Sequence, residues 1–117
     1  MAFKDATPVG GYSNRYQHYS GTVKGVDWFI TYDTQTDLMT FTTGGSATSS
    51  FAGNENFIAL PANKKCVAAQ IFMCDGRTSD AYDMQTNKYS NYIVVTGAKS
   101  SGWSPRISST FMVTDNS

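Results

Sequence analysis

Clusters of glycine, serine, asparagine and aspartate interrupt this chain about every eight to twelve residues, a spacing typical of antiparallel β-structure. The composition between the clusters agrees with that spacing. Fourteen threonines, seven tyrosines and seven phenylalanines occur, against only two leucines and one glutamate. Strong helix formers are therefore scarce, whereas strand formers are plentiful. We expect an all-β fold, an antiparallel β-sandwich or barrel of about seven to nine strands.

The length and charge of the chain limit its organisation and its partners. With 117 residues, 40% of them hydrophobic, the chain can bury one compact core. We expect an extended lead-in at residues 1–20 and a single β-sandwich or barrel domain at residues 21–117. Nine basic and nine acidic residues cancel, so no basic surface for nucleic acid is predicted. Every apolar run is shorter than a membrane-spanning helix requires, and Met1 to Gly10 holds no signal-peptide core, so we expect neither membrane insertion nor a targeting segment.

Two strands and their connecting turn form the clearest local pattern. Val26–Tyr32 and Leu38–Thr43 flank the polar segment DTQTD and predict a β-hairpin. On the second strand Met39 and Phe41 share one face, which we expect to be buried. Pro61 cannot donate to a sheet ladder and is expected to mark a strand end.

The segment Cys66–Cys74 is apolar on both faces, which predicts a continuous central strand. Such a strand would hold its two cysteines roughly 26 Å apart, too far for a disulfide, so we expect free thiols. We interpret them as small buried hydrophobes, because the chain has a single histidine to act as a base for a nucleophilic thiol. Further strands are predicted at residues 91–96 and 106–113, with shorter ones at 16–20 and within 75–90.

Few residues could carry catalysis. Every triad or multi-histidine site would have to be built around His18, which we interpret as a partly exposed strand histidine. Asp75, Asp80 and Asp83 could converge as hydrolase carboxylates or as calcium ligands, but aspartate is also a common turn former. We interpret them as residues of a solvated loop. We expect no enzyme activity, no cofactor and no metal site.

Two loops combine aromatic and charged side chains in the mixture that saccharide sites use. An aromatic ring stacks on the C–H face of a sugar, while charged and amide groups bond its hydroxyls. The candidate ligand-binding residues are Trp103, Arg77, Asp75, Asp80, Tyr82, Arg106 and Tyr89. Trp103 could equally pack beneath its own loop. Trp28, beside Phe29 and Ile30 on a predicted strand, is expected in the core.

The order of these segments resembles the head domain of phage tail receptor-binding proteins, notably the baseplate type of phages that infect Gram-positive bacteria. The similarity covers about residues 22–114. It consists of a polar hairpin, then FIALP with the basic turn at Lys64 and Lys65, a long apolar strand, a variable loop, YIVVTG and a terminal STFMV strand. No site residue carries over by motif, because that family's ligand contacts lie in variable loops. No N-terminal shoulder or coiled neck like that of the larger members is obvious in this sequence, so we expect either that the sequence is part of a longer protein or that the lead-in itself docks on a partner.

This resemblance implies a function and a location. A head domain of that kind assembles as a homotrimer, binds host cell-wall saccharide and contacts other tail proteins at the tail tip of the virion, after folding in the host cytoplasm. Three linked weak sites would raise avidity without new contacts. Two alternatives stay open: a structural virion protein, such as a capsid decoration or tail module that binds only protein, and a small hydrolase that uses the loop carboxylates.

Overall fold

The computed structural model describes residues 15–73 and 83–117, which contain nine strands and one short 3-10 helix. The strands are β1 (Tyr16–Val23), β2 (Val26–Asp33), β3 (Leu38–Gly45), β4 (Glu55–Ala59), β5 (Lys64–Cys66), β6 (Gln70–Phe72), β7 (Met84–Thr86), β8 (Tyr92–Val95) and β9 (Ser108–Asp115). The 3-10 helix, Pro61–Asn63, follows β4, so Pro61 does end a strand as predicted. The all-β class is confirmed.

The strands form two antiparallel sheets that pack face to face. The larger has the order β1-β2-β3-β9-β5, and the smaller has the order β4-β8-β7-β6. Every pairing within them is antiparallel. Each sheet turns one face inward, and the two inward faces enclose a single core, which is the arrangement of a β-sandwich.

Turn chemistry explains the meander from β1 to β3. Lys24 and Gly25 form a two-residue connection, with φ angles of 49° and 86°. Positive φ at both positions gives a twist that matches the strands, so the connection closes directly on the Val23 to Val26 pair. The predicted hairpin of β2 and β3 is also confirmed, since Tyr32 lies opposite Met39 in an unbroken register.

Aromatic side chains from both sheets build the core. Phe41 of β3 is fully buried, and its ring centroid lies 5.3 Å from that of Phe72 and 6.4 Å from that of Phe57 on the opposite sheet. Phe111 of β9 contacts Phe72 at 5.5 Å. Met39 is also fully buried, so the predicted inner face of β3 is correct. Burial of these large apolar surfaces is the main term that holds the two sheets together.

The predicted continuous strand over Cys66–Cys74 is wrong. β5 ends at Cys66 in the larger sheet, and β6 begins at Gln70 in the smaller one, so the chain crosses between sheets at residues 67–69. The apolar pattern on both faces misled the prediction because one of those faces is open: Ile71 and Met73 are 51% and 60% exposed. Cys66 is a buried free thiol, as expected, and Cys74 lies outside the described residues.

The other strand predictions agree with the structure in place and differ in length. β1 begins at Tyr16 and extends the predicted short strand to Val23. The predicted strand within 75–90 is β7, and that at 91–96 is β8. β9 begins at Ser108, two residues after the predicted start, because residues 103–107 are occupied in loop hydrogen bonds.

Candidate functional site

Four of the predicted ligand-binding residues, Asp75, Arg77, Asp80 and Tyr82, lie outside the described residues. The other three, Tyr89, Trp103 and Arg106, fall within them and can be located. They lie in three different environments.

Trp103 packs beneath its own loop. Its ring is half-buried against the core and meets the ring of Phe51 edge-on, with the centroids 5.4 Å apart. The ammonium of Lys99 lies 5.6 Å from the Trp103 ring centroid. Of the two roles left open for Trp103, the packing role is therefore the one observed. Trp28 was expected in the core. It is half-buried and packs against the core, and its indole ring lies directly against Gly21 of β1.

Arg106 is engaged with the backbone. Its Nη1 donates hydrogen bonds to the carbonyl oxygens of Gly45, at 2.7 Å, and Pro105, at 2.9 Å. Two carbonyls held by one guanidinium fix the loop before β9 against the end of β3. Arg106 therefore has a structural role in the described part of the chain.

Tyr89 is the one of the three that presents its ring to solvent, with 60% of the residue exposed. It adopts a φ of 64°, in the left-handed region, in the turn after β7, and its amide donates a hydrogen bond to the carbonyl of Cys66 on β5. The ammonium groups of Lys65 and Lys88 lie 5.5 and 5.0 Å from its ring centroid. Both distances are within the range of a cation–π contact.

The interpretation of Asp83 as a solvated loop residue is wrong. Asp83 is fully buried, and its Oδ1 lies 3.2 Å from the Nζ of Lys99, which is also buried. Neither carboxylate oxygen accepts a well-directed hydrogen bond from a described residue. The contact is thus an ion pair inside the protein, stabilised by charge in a low dielectric more than by hydrogen-bond geometry.

A further candidate surface is the outer face of the larger sheet. Its central row runs across four strands, and its members lie opposite one another in the register: His18, Thr31, Thr40 and Thr110. His18 Nδ1 lies 3.1 Å from the hydroxyl of Thr31, and the hydroxyls of Thr40 and Thr110 are 3.0 Å apart. We call these four residues the hydroxyl row. His18 lies on β1 as predicted, and it is exposed where partial exposure was expected.

Phe29 lies beside the hydroxyl row on the same face. It is 53% exposed and belongs to the neighbouring row of Ser20, Phe29, Thr42 and Ser108. A shallow depression of about 190 Å³ forms around it. The depression is lined by His18, Tyr19, Ser20, Phe29, Ile30 and Thr31. We call it the Phe29 depression.

The sequence contained a signal for Phe29 that its apolar neighbours obscured. Phe29 lies between Trp28 and Ile30, so the local composition predicts a buried segment. However, side chains alternate along a strand, and Phe29 shares its parity with the polar residues Asp27 and Thr31. That alternation places the Phe29 ring on the solvent side.

An ion pair fixes one border of this face. The guanidinium of Arg15 bonds both carboxylate oxygens of Asp33, at 3.0 and 2.9 Å, and lies 5.0 Å from the ring centroid of Tyr16. The hydrogen bonds from Arg15 hold the pKa of Asp33 far below its usual range, and those same hydrogen bonds raise the pKa of Arg15. Asp33 therefore stays ionised and paired with Arg15, and the Tyr16 ring lies beside this ion pair, whose two charges offset each other.

The face can bind by stacking and hydrogen bonding. Phe29 offers an apolar ring, and the surrounding hydroxyls and imidazole both donate and accept. Across residues 15–73 and 83–117, no three histidine, cysteine, aspartate or glutamate side chains converge in a group that could hold a metal ion. In the same ranges, no helix has the length and apolar character needed to cross a membrane.

No protein-family model matches this chain, and no curated protein matches it either.

Proposed function

We propose that this protein is a non-enzymatic saccharide-binding domain whose ligand lies on the outer face of the larger sheet. The observation that carries the proposal is the exposed ring of Phe29 in a depression lined by His18, Ser20 and Thr31. We place the ligand on a sheet face because, of the three predicted loop residues that the structure describes, Trp103 packs against Phe51 and Arg106 bonds the backbone.

The chemistry of the Phe29 depression suits a neutral sugar. A pyranose ring presents C–H groups that stack on an aromatic face, and its hydroxyls pair with groups that both donate and accept hydrogen bonds. His18, Ser20 and Thr31 supply such groups around Phe29. The volume of about 190 Å³ is below the roughly 300–1,000 Å³ typical of pockets for drug-sized ligands, so the depression suits one sugar unit.

The hydroxyl row extends the site beyond one sugar. It continues from the depression across β3 to β9, so further units of a polymer could meet Thr40 and Thr110. Adjacent strands lie about 4.8 Å apart, and four strands therefore span roughly 14 Å. A flat row of this length favours recognition of a chain over recognition of an isolated monosaccharide.

The biological setting of the proposal follows from the resemblance stated above. We place the domain at the tail tip of a phage, where it binds host cell-wall saccharide and contacts other tail proteins. The β-sandwich fold is compatible with such a head domain. The resemblance also implies a homotrimer, and the mass of the assembled protein tests that number directly.

The experiment is a binding assay with purified host cell-wall polysaccharide or a glycan array. We expect Phe29→Ala to weaken binding by about threefold to tenfold, the loss of one stacking contact, without lowering the melting temperature. Tyr92→Ala is the matched control, since Tyr92 is also an exposed aromatic but lies on the smaller sheet. The control should bind as the wild type does.

Three outcomes would contradict the proposal. Retention of full affinity in Phe29→Ala, with loss in Tyr89→Ala, would return the site to the predicted loops. Absence of binding to every saccharide tested would favour the structural virion protein, which binds only protein. Turnover of a glycan by the wild-type protein would support the alternative of a small hydrolase that uses the loop carboxylates.

A further inference from the structure

We propose that two copies of this protein associate through β1, which pairs antiparallel with β1 of the second copy about a twofold axis. The two larger sheets then form one continuous sheet of ten strands. The pairing itself does not depend on the proposed function, although one of its consequences does.

β1 is an edge strand without the features that usually prevent edge pairing. It has eight residues, Tyr16–Val23, with no proline, no lysine and no acidic residue, and its register with β2 is unbroken. Folded proteins normally shorten, charge or bulge such edges, because an open row of backbone groups accepts another strand.

The other three edges carry such features. β5 has three residues, two of which are Lys64 and Lys65. β4 contains a register shift between Asn56 and Ile58 and is soon followed by Pro61. β6 has three residues. β1 is therefore the edge best suited to a second strand in the described part of the chain.

The hairpin register shows which backbone groups of β1 point outward. Alternate pairs in an antiparallel ladder exchange hydrogen bonds. Val23 and Val26 flank the two-residue turn, and the amide of Thr34 donates to the carbonyl of Arg15 at 2.8 Å. The odd-numbered residues therefore bond β2, which leaves the amides and carbonyls of the even-numbered residues directed toward the open edge.

The outward-facing residues are Tyr16, His18, Ser20 and Thr22. Their side chains also lie on the outer face of the sheet, because they pair with Asp33, Thr31, Phe29 and Asp27. A twofold axis perpendicular to the sheet keeps both outer faces on the same side, and it therefore pairs even-numbered residues with even-numbered ones. Self-pairing of β1 satisfies this condition without any change of its backbone.

One register uses all four outward residues. It places Tyr19 on the twofold axis, His18 opposite Ser20 of the second copy, and Tyr16 opposite Thr22 of the second copy. Four hydrogen-bonded residue pairs give about eight backbone hydrogen bonds across the junction. No like charges oppose one another, because β1 carries no lysine, arginine or acidic side chain.

The pairing has a consequence for binding that rests on the proposed function. Phe29 lies one strand inward from β1 and opposite Ser20, so the two Phe29 residues are three strand spacings apart across the sheet and two residues apart along it, roughly 16 Å in total, on one shared face. His18 and Ser20 of the second copy then border the same surface. One saccharide chain could contact both depressions, and the second contact would become intramolecular.

Light scattering of the intact protein at high micromolar concentration tests the pairing. We expect a dimer mass for the wild type. Tyr16→Lys with Thr22→Lys places like charges opposite each other twice across the junction and should give a monomer. Thr31→Lys with Thr42→Lys adds the same charge to the same face, away from the edge, and should remain a dimer.

A cysteine variant tests the register. Residues on the axis form a non-hydrogen-bonded pair with Cα atoms about 4.5 Å apart, within reach of a disulfide. In a Cys74→Ser background, Tyr19→Cys should therefore form an intermolecular disulfide in air. Gln17→Cys in the same background should not, because residue 17 lies opposite Gly21 of the second copy.

A monomer or a trimer mass for the wild type would overturn the pairing, and a trimer would favour the threefold assembly that the resemblance implies. Efficient cross-linking of Gln17→Cys but not of Tyr19→Cys would overturn the register. Saccharide binding is measured separately on the lysine double variant at the edge. Loss of the dimer with retained binding would leave the proposed function standing without the shared site. Loss of binding with a retained dimer would leave the pairing standing without the proposed function.

Discussion

The Nζ of Lys99 lies 3.2 Å from the Oδ1 of Asp83, and both side chains are buried. The pair joins the start of β7 to the loop between β8 and β9. The backbone of Lys99 exchanges two hydrogen bonds with that of Phe51, so the same residue also ties down the segment before β4.

We expect Lys99→Met to lower the free energy of unfolding by about 3–5 kcal/mol, because the variant leaves the Asp83 carboxylate buried without its counter-charge. The double variant Asp83→Leu with Lys99→Met removes both charges and should recover much of that loss. Urea unfolding at neutral pH measures both. Equal destabilisation in the single and double variants would show that the charges are not coupled.

Phe41 and Phe29 lie on opposite faces of the larger sheet, and the two positions predict opposite mutational costs. Phe41→Ala opens a cavity at the centre of the core, and we expect it to cost about 3–5 kcal/mol. Phe29→Ala removes an exposed ring, and we expect a change within about 0.5 kcal/mol. Calorimetric melting of both variants checks this, and a large cost for Phe29→Ala would mean that its ring packs on the protein.

Gly25 and Gly44 form a matched pair for backbone strain. Gly25 has a φ of 86°, and a Cβ there would collide with the carbonyl oxygen of Ser46. We expect Gly25→Ala to destabilise the protein by more than about 1 kcal/mol. A Cβ at Gly44 meets nothing within 4 Å, so Gly44→Ala should be neutral or slightly stabilising. Similar melting temperatures for the two variants would contradict this account of the turn.

Acid should weaken the fold through its paired carboxylates. Hydrogen bonds from Arg15, Lys24 and Lys64 lower the pKa values of Asp33, Glu55 and Asp115, respectively. In each case the folded pKa lies below the unfolded one, so the stabilisation is complete above about pH 5 and is lost as the pH falls further.

The variant Asp33→Asn isolates the largest of these effects. We expect it to melt below the wild type at pH 7 and to approach the wild-type value as the pH is lowered below 4, where Asp33 itself begins to protonate in the unfolded chain. Melting curves from pH 7 to pH 2 measure the difference. A difference that stays constant over this range would exclude the ionic contribution of Asp33.

Local patterns predicted those elements whose partners are close in sequence. The β2–β3 hairpin and the buried face of Met39 and Phe41 follow from alternation and a polar turn, and both are observed. The break after Cys66 has no such local signal. Both sides of that segment are apolar, and only the pairing of β5 with β9 and of β6 with β7 shows that the chain changes sheets there.

The candidate site was less predictable because composition does not reveal exposure. Trp103 and Lys99 have side chains suited to binding, yet packing against Phe51 and pairing with Asp83 remove them from the surface. Phe29 looks like core material, yet the register turns it outward. Tyr89 is exposed as the loop interpretation required, which keeps it as a candidate ligand contact.

The position of β9 in the larger sheet governs when this protein can fold during synthesis. β9 lies between β3 and β5, although about sixty residues separate the end of β3 from the start of β9. The first three strands can form a meander as soon as they leave the ribosome, but their sheet stays incomplete and one edge of β3 stays open until β9 emerges. Cotranslational association of neighbouring nascent chains through that temporary edge would therefore compete with correct closure, and slow translation near residues 108–115 would prolong the exposure.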